Sequence, residues 1–340
     1  MKKVLFITLA LILALGTVLM GCAPKTTTTE NSTAESASVT STVAETSTTA
    51  PAKQLVFGFL FCGLNTPSVK AGQEAAEARA KELGVKLLVM DGEFDAQKQT
   101  DQALNLISQK VDGIIINPND AQAFVPVAKQ IKEAGIPLIS WVQPLPTEAD
   151  AYVNVFIGPD DTKAGGAAMD TFRKAFPDTQ QIKIVEIEGA ISSIASQKRH
   201  QGLQDAVTNS KDFDLLESQA TKSWGRDEAM TIMENYLTKY KDIQAVYCHD
   251  DNIAQGACEA IKAANRPNIV VVGINGESSA FDSIKAGQQY GTFVQHIKWG
   301  AAMCIDVLIG LNEGKTYDKW IVDEWEPVTK DNVNTAQPAW

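Results

Sequence analysis

Short apolar runs alternate with helical patterns along most of the chain after residue 53. Runs such as 55–61, 113–117 and 243–248 predict buried strands. The stretches between them carry apolar side chains three and four residues apart, as 96–110 does, and predict helices. Strands that alternate with helices indicate right-handed βαβ units and parallel sheets. We therefore expect an α/β fold.

One plan occurs twice in the chain. DGIIINPND at 112–120 and IQAVYCHDD at 243–251 each have an apolar strand, a polar stop and a helical pattern after it. Ligands of open parallel sheets bind beyond the carboxyl ends of the strands. Asp250 and Asp251 lie at such an end, and Asp251, directly before a helix, is expected to be its N-cap. We expect two similar doubly wound lobes whose strand ends face a cleft.

The first 53 residues follow different rules. Two lysines precede an apolar segment at 4–20 that ends in small residues, which predicts a signal peptide over 1–21. Leu19-Met20-Gly21-Cys22 resembles a bacterial lipobox, so Cys22 is expected to carry a lipid on the outer face of the cell membrane. An uncleaved membrane anchor is the alternative, because the apolar segment 4–20 just reaches the length of about 17 residues that a membrane span needs. Residues 22–53, rich in Thr, Ser, Ala and Glu, predict a disordered tether spanning on the order of 30 Å.

Composition narrows the classes of partner and chemistry. The chain of 340 residues has a net charge of −11, which argues against a nucleic-acid partner. No nucleophile-elbow, P-loop or dinucleotide-binding motif is present, so we expect neither an enzyme nor a cofactor. Cysteine and histidine spacings do not match metal sites, and buried free cysteines are favoured over disulfides. The cysteines are Cys22, Cys62, Cys248, Cys258 and Cys304, and the histidines are His200, His249 and His296.

The order of several motifs resembles the ribose-binding-protein-like family of type I periplasmic binding proteins, the solute receptors of ABC importers. The motifs are Asn65-Thr66-Pro67, DGIIINPND, Gly165-Gly166, QAVYCHDD, VVVGING and PVTKDNV. The resemblance implies a monomer with two lobes joined by three crossovers near residues 158, 295 and 324. It assigns 54–157 with 296–324 to the N-terminal lobe, and 158–295 with 325–340 to the C-terminal lobe. It also implies delivery of the bound solute to ABC permease subunits.

The positions that match the family's pocket depart from the ribose-type pattern. Ribose-type members stack two Phe on the sugar, where this chain has Ser68 and Val69. Val142 and Gln143 replace an Asp-Arg pair, and Gln197 replaces an Arg. The resemblance therefore weakens the case for ribose itself as the ligand.

Other pocket positions keep a polar or aromatic character. Asp250-Asp251 stands where the family has Asn-Asp, Asn275 replaces an Asp, and an aromatic residue and a glutamine persist as Trp224 and Gln295. The resemblance thus implies one ligand-binding set: Asn65, Gln143, Gln197, Trp224, Asp250, Asn275 and Gln295.

These side chains suit a hydroxylated ligand. Amides donate and accept hydrogen bonds, and a carboxylate accepts from two hydroxyls, while Trp224 offers an apolar face. No arginine falls on a matched pocket position, so an anionic ligand is disfavoured. We expect a neutral sugar or polyol, or else a cation held by Asp250 and Trp224. A nucleoside or amine ligand, and a sensor in place of a transporter, stay open.

An acid–base or metal cluster at His249, Asp250 and Asp251 is the remaining enzymatic alternative. Successive residues of a strand point to opposite faces, so the three side chains cannot converge without a bend.

Overall fold

The computed structural model describes residues 53–340. The predicted signal peptide, the lipidated Cys22 and the tether up to residue 52 lie outside the described residues. The described part contains strands β1 (Val56–Phe61), β2 (Lys86–Asp91), β3 (Gly113–Ile116), β4 (Leu138–Trp141), β5 (Val155–Pro159), β6 (Ile182–Glu188), β7 (Phe213–Ala220), β8 (Ala245–Cys248), β9 (Val270–Val272), β10 (Gly291–Val294), β11 (Trp320–Asp323) and β12 (Glu326–Thr329).

The strands form two sheets of six. The first has the order β11-β5-β4-β3-β1-β2 and is parallel throughout. The second has the order β12-β10-β9-β8-β6-β7, and only β12 runs antiparallel to its neighbour. The predicted fold of two doubly wound lobes is confirmed.

Helices follow most strands and cover both faces of each sheet. They are α1 (Pro67–Glu82), α2 (Ala96–Gln109), α3 (Ala121–Glu133), α4 (Asp161–Ala175), α5 (Ile194–Asn209), α6 (Arg226–Lys239), α7 (Asp251–Ala263), α8 (Ser278–Lys285) and α9 (Ile297–Asn312). Caps explain where several of them begin. Asp120 accepts hydrogen bonds from the backbone amides of Gln122 and Ala123, so α3 begins at Ala121.

The core of the first lobe fixes one side of the cleft. Trp141, at the end of β4, is 1% exposed and packs edge-on against Phe59 and Phe61, with ring centroids 5.3 and 5.9 Å away. A Cβ atom at Gly72 of α1 would overlap the indole, so this glycine makes room for it. Burial of each such side chain stabilises the fold by about 1.5–3 kcal/mol.

The chain crosses between the lobes three times: between β5 and α4, between β10 and α9, and between β11 and β12. The second and third crossings are tied together, because His296 Nδ1 lies 2.8 Å from Asp323 Oδ1 and the His296 amide donates to Asp323 Oδ2. The sheets are compatible with the predicted lobe ranges, whose exact bounds stay a prediction.

The cysteines form no disulfides within residues 53–340. Cys62, Cys248, Cys258 and Cys304 are free thiols, and the last three are buried as small apolar side chains. Among residues 53–340, no helix combines the length and the hydropathy that a membrane crossing requires.

Candidate functional site

A cavity of about 550 Å³ lies between the lobes, at the carboxyl ends of both sheets. Its first-lobe wall consists of Cys62, Thr66, Pro67, Ser68, Val69, Phe94, Asn117, Trp141, Val142, Gln143 and Ile297. Its second-lobe wall consists of Asp161, Ser193, Ala195, Arg199, Ser223, Trp224, Asp250, Asn252, Asn275, Glu277, Gln295 and Trp340. Both parallel sheets therefore point their ligand-binding ends at one space, as the pattern of strand ends predicts.

Strained backbone is concentrated around this cavity. Seven residues other than glycine have a left-handed φ in the described part of the chain, and four of them line the cavity. These four are Phe94, Val142, Trp224 and Asn275, with φ of 57°, 66°, 61° and 106°. Such conformations cost on the order of 1–3 kcal/mol and persist where the surroundings hold a side chain in a functional position.

Amide side chains supply much of the polar lining. Asn117, at the end of β3, is 3% exposed and donates to the Trp141 carbonyl oxygen at 3.4 Å. Its Oδ1 has no hydrogen-bond partner within residues 53–340. Gln295 is 5% exposed, and its backbone N–H donates to the Asn275 carbonyl oxygen, which fixes the loop that carries both residues. An unpartnered buried amide in a cavity is suited to a polar ligand.

Gln143 reaches the cavity through the turn that ends β4. The left-handed Val142 redirects the chain, and the Ser140 hydroxyl donates to the Gln143 carbonyl oxygen at 2.5 Å. The backbone at 143 is thereby held, and the side chain lines the first-lobe wall.

Of the two neighbouring aspartates, Asp250 and not Asp251 is the N-cap of the helix that follows. Asp250, in extended conformation with φ −153°, is the N-cap of α7 and accepts from the Ile253 amide at 2.8 Å. Asp251 is the first helical residue, and the prediction that it caps the helix is wrong. Its buried carboxylate accepts from the Gly276 and Glu277 amides, the Thr292 hydroxyl and the Gln289 amide group. Asp251 therefore holds the Asn275 loop in place, while Asp250 lines the cavity.

Burial alters the ionisation of Asp250. The cavity-lining carboxyl is 8% exposed, and burial raises its pKa to about 7, against the hydrogen bond from the Ile253 amide. The negative charge of Glu277 acts in the same direction on this pKa.

Arg199 is the cation of the second-lobe wall. It is 4% exposed, and its Nε donates to Asp161 Oδ1 at 2.8 Å. Its Nη1 donates to the His249 carbonyl oxygen, and its guanidinium lies 5.9 Å from the Trp224 ring centroid and 5.3 Å from that of Trp325. No arginine falls on a pocket position matched from the sequence, yet Arg199 lines the cavity, paired with Asp161.

Gln197 lies outside the cavity, contrary to the placement that the resemblance implied. Its side chain is exposed and donates to the Ile191 carbonyl oxygen at 2.8 Å. On α5, a shift of two residues rotates the side-chain direction by about 200°, so Arg199 faces the cavity and Gln197 faces solvent.

Trp224 lies flat against the loop after β6. Its backbone amide donates to the Thr221 hydroxyl, and a Cβ atom at Gly189 would overlap its indole. Gly189 therefore allows the ring to sit at the cavity, where it offers an apolar face.

Five of the seven predicted ligand-binding residues line the cavity: Gln143, Trp224, Asp250, Asn275 and Gln295. Asn65 is exposed and, like Gln197, lies outside the lining. The prediction missed Asn117, Arg199, Glu277 and Phe94. Only Asn117 had a signal in the sequence, because it ends the apolar strand of DGIIINPND as Asp250 ends its own.

One group of side chains behind the second-lobe wall has ligand atoms close enough together to hold a metal ion. Glu186, Glu188 and His200 bring them within 4.8 Å of one another. However, Glu186 already lies 2.7 Å from His200 Nδ1 and 2.8 Å from His249 Nε2. Burial alone would raise the pKa of Glu186, but these hydrogen bonds outweigh it and lower the pKa to about 2. Internal pairing explains the cluster.

Comparison with known proteins agrees with this geometry. The family model described as "Periplasmic binding protein domain" matches residues 57–316. The ribose import binding protein of Bacillus subtilis is 28% identical over 277 residues, 79% of this chain and 85% of that protein. The xylitol-binding protein of Mycolicibacterium smegmatis is 29% identical over 272 residues, 79% of this chain and 75% of that protein.

Solved structures share the two-lobe fold. An ABC transporter solute-binding protein from Bacillus halodurans with bound myo-inositol superposes with a TM-score of 0.76. It is 25% identical, and the match covers 84% of this chain and 98% of that structure.

Proposed function

Because the chain belongs to the ribose-binding-protein-like family of type I periplasmic binding proteins, we propose that it captures a small hydroxylated solute outside the cytoplasm and delivers it to the permease of an ABC importer. The observation that carries this proposal is the cavity. Residues of both lobes line it, and it lies beside the three segments that connect the lobes. A solute between the walls is enclosed when the lobes rotate together, and the permease receives the closed form.

The cavity lining supports a sugar or polyol. Hydroxyl groups both donate and accept, and Asn117, Gln143, Gln295 and Asn275 can meet them in either sense. The Trp224 indole supplies the apolar face on which C–H groups of a ring would stack. We include Asn117 in the proposed binding set and leave out Asn65 and Gln197, which lie outside the cavity.

Ligand binding is tested by thermal-shift screening and then isothermal titration calorimetry. The panel contains ribose, xylitol, allose and myo-inositol, with a nucleoside as comparison. A ligand that binds only the folded state stabilises it by about 2.7 kcal/mol at a hundred times its dissociation constant, so a clear rise in Tm is expected. A folded protein that binds no sugar or polyol would contradict the proposed ligand class.

Two tryptophan variants separate the cavity from the rest of the surface. Trp224→Ala removes the stacking face, so we expect at least about a tenfold loss of affinity for any sugar found in the screen. Trp299→Ala is the control, because Trp299 on α9 is 40% exposed and lies outside the cavity lining. Equal effects of the two substitutions would argue against this cavity as the binding site.

We also propose that lipid on Cys22 holds the protein at the outer face of the membrane as a monomer. Support comes from the lipobox-like Leu19-Met20-Gly21-Cys22 and from the family's extracytoplasmic role. Metabolic labelling with a fatty acid tests the anchor: label on the wild type and its loss in Cys22→Ala are expected. Label that persists in Cys22→Ala would contradict it, and size-exclusion chromatography with light scattering measures the oligomeric state.

A further inference from the structure

The charged groups of the cavity are unequal in number. Within the described residues, three carboxylates and one guanidinium line it: Asp161, Asp250, Glu277 and Arg199. Arg199 and Asp161 pair with each other at 2.8 Å, both with side chains less than a tenth exposed. Arg199 also lowers the pKa of Asp250, but burial outweighs this effect. Asp250 and Glu277 are therefore the carboxylates of this wall that form no salt bridge.

The environment of these two carboxylates emphasises the imbalance. Asp250 accepts one hydrogen bond from the Ile253 amide, and Glu277 accepts one from the Ser279 hydroxyl at 3.2 Å. Neither forms a salt bridge with a lysine, arginine or histidine of residues 53–340. Burial raises the pKa of both carboxyls, and the charge of Glu277 raises that of Asp250 further. Asp250 is buried and Glu277 is half-buried, and two carboxyls at one wall oppose each other's ionisation unless a cation joins them.

We propose that the ligand is a hydroxylated molecule that also carries a protonated amine, an amino polyol or amino sugar, whose ammonium group binds between Asp250 and Glu277. This inference rests on the proposed function. An ammonium group has three donors and a full positive charge, so it satisfies both carboxylates together. The Trp224 face beside them adds cation–π attraction, and the amides of the first-lobe wall receive the hydroxyls.

An anionic ligand does not fit the same wall. Arg199 spends Nε on Asp161 and Nη1 on the His249 carbonyl oxygen, and its faces lie against Trp224 and Trp325. A carboxylate or phosphate would meet the negative charge of Asp250 and Glu277, and Arg199 would have to serve it in addition to Asp161 and the His249 carbonyl oxygen. A neutral polyol offers the two carboxyls hydrogen-bond donors but no positive charge.

The test compares matched pairs that differ only by an amine in place of a hydroxyl. The probes are scyllo-inositol with scyllo-inosamine, D-sorbitol with D-glucamine, and D-glucose with D-glucosamine, each titrated calorimetrically at pH 7. We expect the amine of at least one pair to bind about tenfold or more tightly than its hydroxyl partner, since charge-assisted hydrogen bonds are about twice as strong as neutral ones.

Proton linkage gives an independent readout. An ammonium group favours ionised Asp250, so binding of the amine should release protons near pH 7. Phosphate and Tris differ in ionisation enthalpy. Titrations of D-sorbitol and D-glucamine in these two buffers should therefore give different apparent enthalpies for D-glucamine. Tighter amine binding without any difference between the buffers would overturn the placement of the ammonium at Asp250.

Charge-removing variants assign the effect to named groups. Glu277→Gln and Asp250→Asn should each reduce the affinity ratio of amine to hydroxyl partner by about tenfold. Asp282→Asn is the matched control, because it removes one charge from α8, close to Glu277 but outside the cavity lining. The ratio should be the same in Asp282→Asn and in the wild type.

The outcomes separate this inference from the proposed function. Equal or tighter binding of the hydroxyl partners would overturn the inference and leave the sugar or polyol receptor intact. Failure of every probe to bind a folded protein would overturn the proposed ligand class, and the inference with it.

Discussion

The two walls of the cavity differ in charge. The first-lobe wall contains no carboxylate and no cation, and it meets the ligand with amides, hydroxyls and apolar side chains. The second-lobe wall contains every carboxylate and the one guanidinium that line the cavity in residues 53–340. The difference teaches that one lobe can recognise charge while the other supplies shape and neutral hydrogen bonds.

Their rigidity also differs. Trp224 of the second-lobe wall is fixed by Thr221 and by the Arg199 guanidinium. Phe94 of the first-lobe wall is 56% exposed, so its ring is packed on fewer sides. At these two aromatic residues, the second-lobe wall is therefore the better preorganised surface, and the Phe94 ring has more freedom to adjust when the lobes close.

The largest expected effect comes from breaking the buried ion pair of the second-lobe wall. Arg199→Met leaves Asp161 buried without its partner, so the free energy of unfolding should fall by about 3–5 kcal/mol in urea denaturation. Gln143→Ala, in the first-lobe wall, should cost less than about 1 kcal/mol. Asp161→Asn combined with Arg199→Met should recover part of the loss of stability. Equal costs of Arg199→Met and Gln143→Ala would contradict the difference between the two walls.

The next effect concerns the contact of α4 and α5, which carry that ion pair. A Cβ atom at Gly165 would overlap the backbone of Leu203, so Gly165→Ala should destabilise the protein by about 1–3 kcal/mol. Gly166 has open space beside it, and Gly166→Ala should stabilise by about 0.5–1 kcal/mol through helix propensity. Differential scanning calorimetry of both variants measures the difference, and shifts of Tm in the same direction would contradict this close helix packing.

A smaller effect compares the aromatic residue of each wall. A Cβ atom at Gly189 would overlap Trp224, and one at Gly63 would overlap Phe94. Gly189→Ala should displace a packed indole and lower the affinity for a bound sugar about tenfold, while Gly63→Ala moves an exposed ring and should change the affinity less than about threefold. Calorimetric titration of both variants decides, and a larger loss in Gly63→Ala would reverse the assignment of rigidity.

The smallest effect is a pH dependence behind the second-lobe wall. The hydrogen bond to Glu186 raises the pKa of His200, with Glu188 adding to it and His249 bonded to the other Glu186 oxygen. A raised histidine pKa gives stability that is fully present below pH 6.5 and is lost as the pH rises through the folded-state value. His200→Gln should therefore lower Tm more at pH 5.5 than at pH 8, and an effect independent of pH would contradict this.

The fold was largely readable from the sequence because its signals are local. The helix predicted over 96–110 is α2, Ala96–Gln109, and α1 begins at Pro67, which suits the first turn of a helix. Strand ends also placed Asp250 correctly at the cleft, because parallel sheets present their carboxyl ends together.

The parts of the site that were missed depend on tertiary geometry. Arg199 and Gln197 are equally polar in the sequence, and only the rotation of α5 against β8 decides which one faces the cavity. The roles of Asp250 and Asp251 depend on which residue leaves the helical conformation, a choice set by the four donors that surround Asp251. Glu277 belongs to none of the sequence motifs, and it reaches the cavity because of the conformation of the loop before α8.

The tail of the chain has a consequence for biosynthesis. β11 and β12 lie within residues 320–329, yet each closes the edge of a different sheet, and α9 of residues 297–312 packs against α1. A nascent chain that ends near residue 290 would leave the edge of β5 open and lack a complete first lobe. Neither lobe can finish folding on the ribosome before nearly all of the chain has been translated.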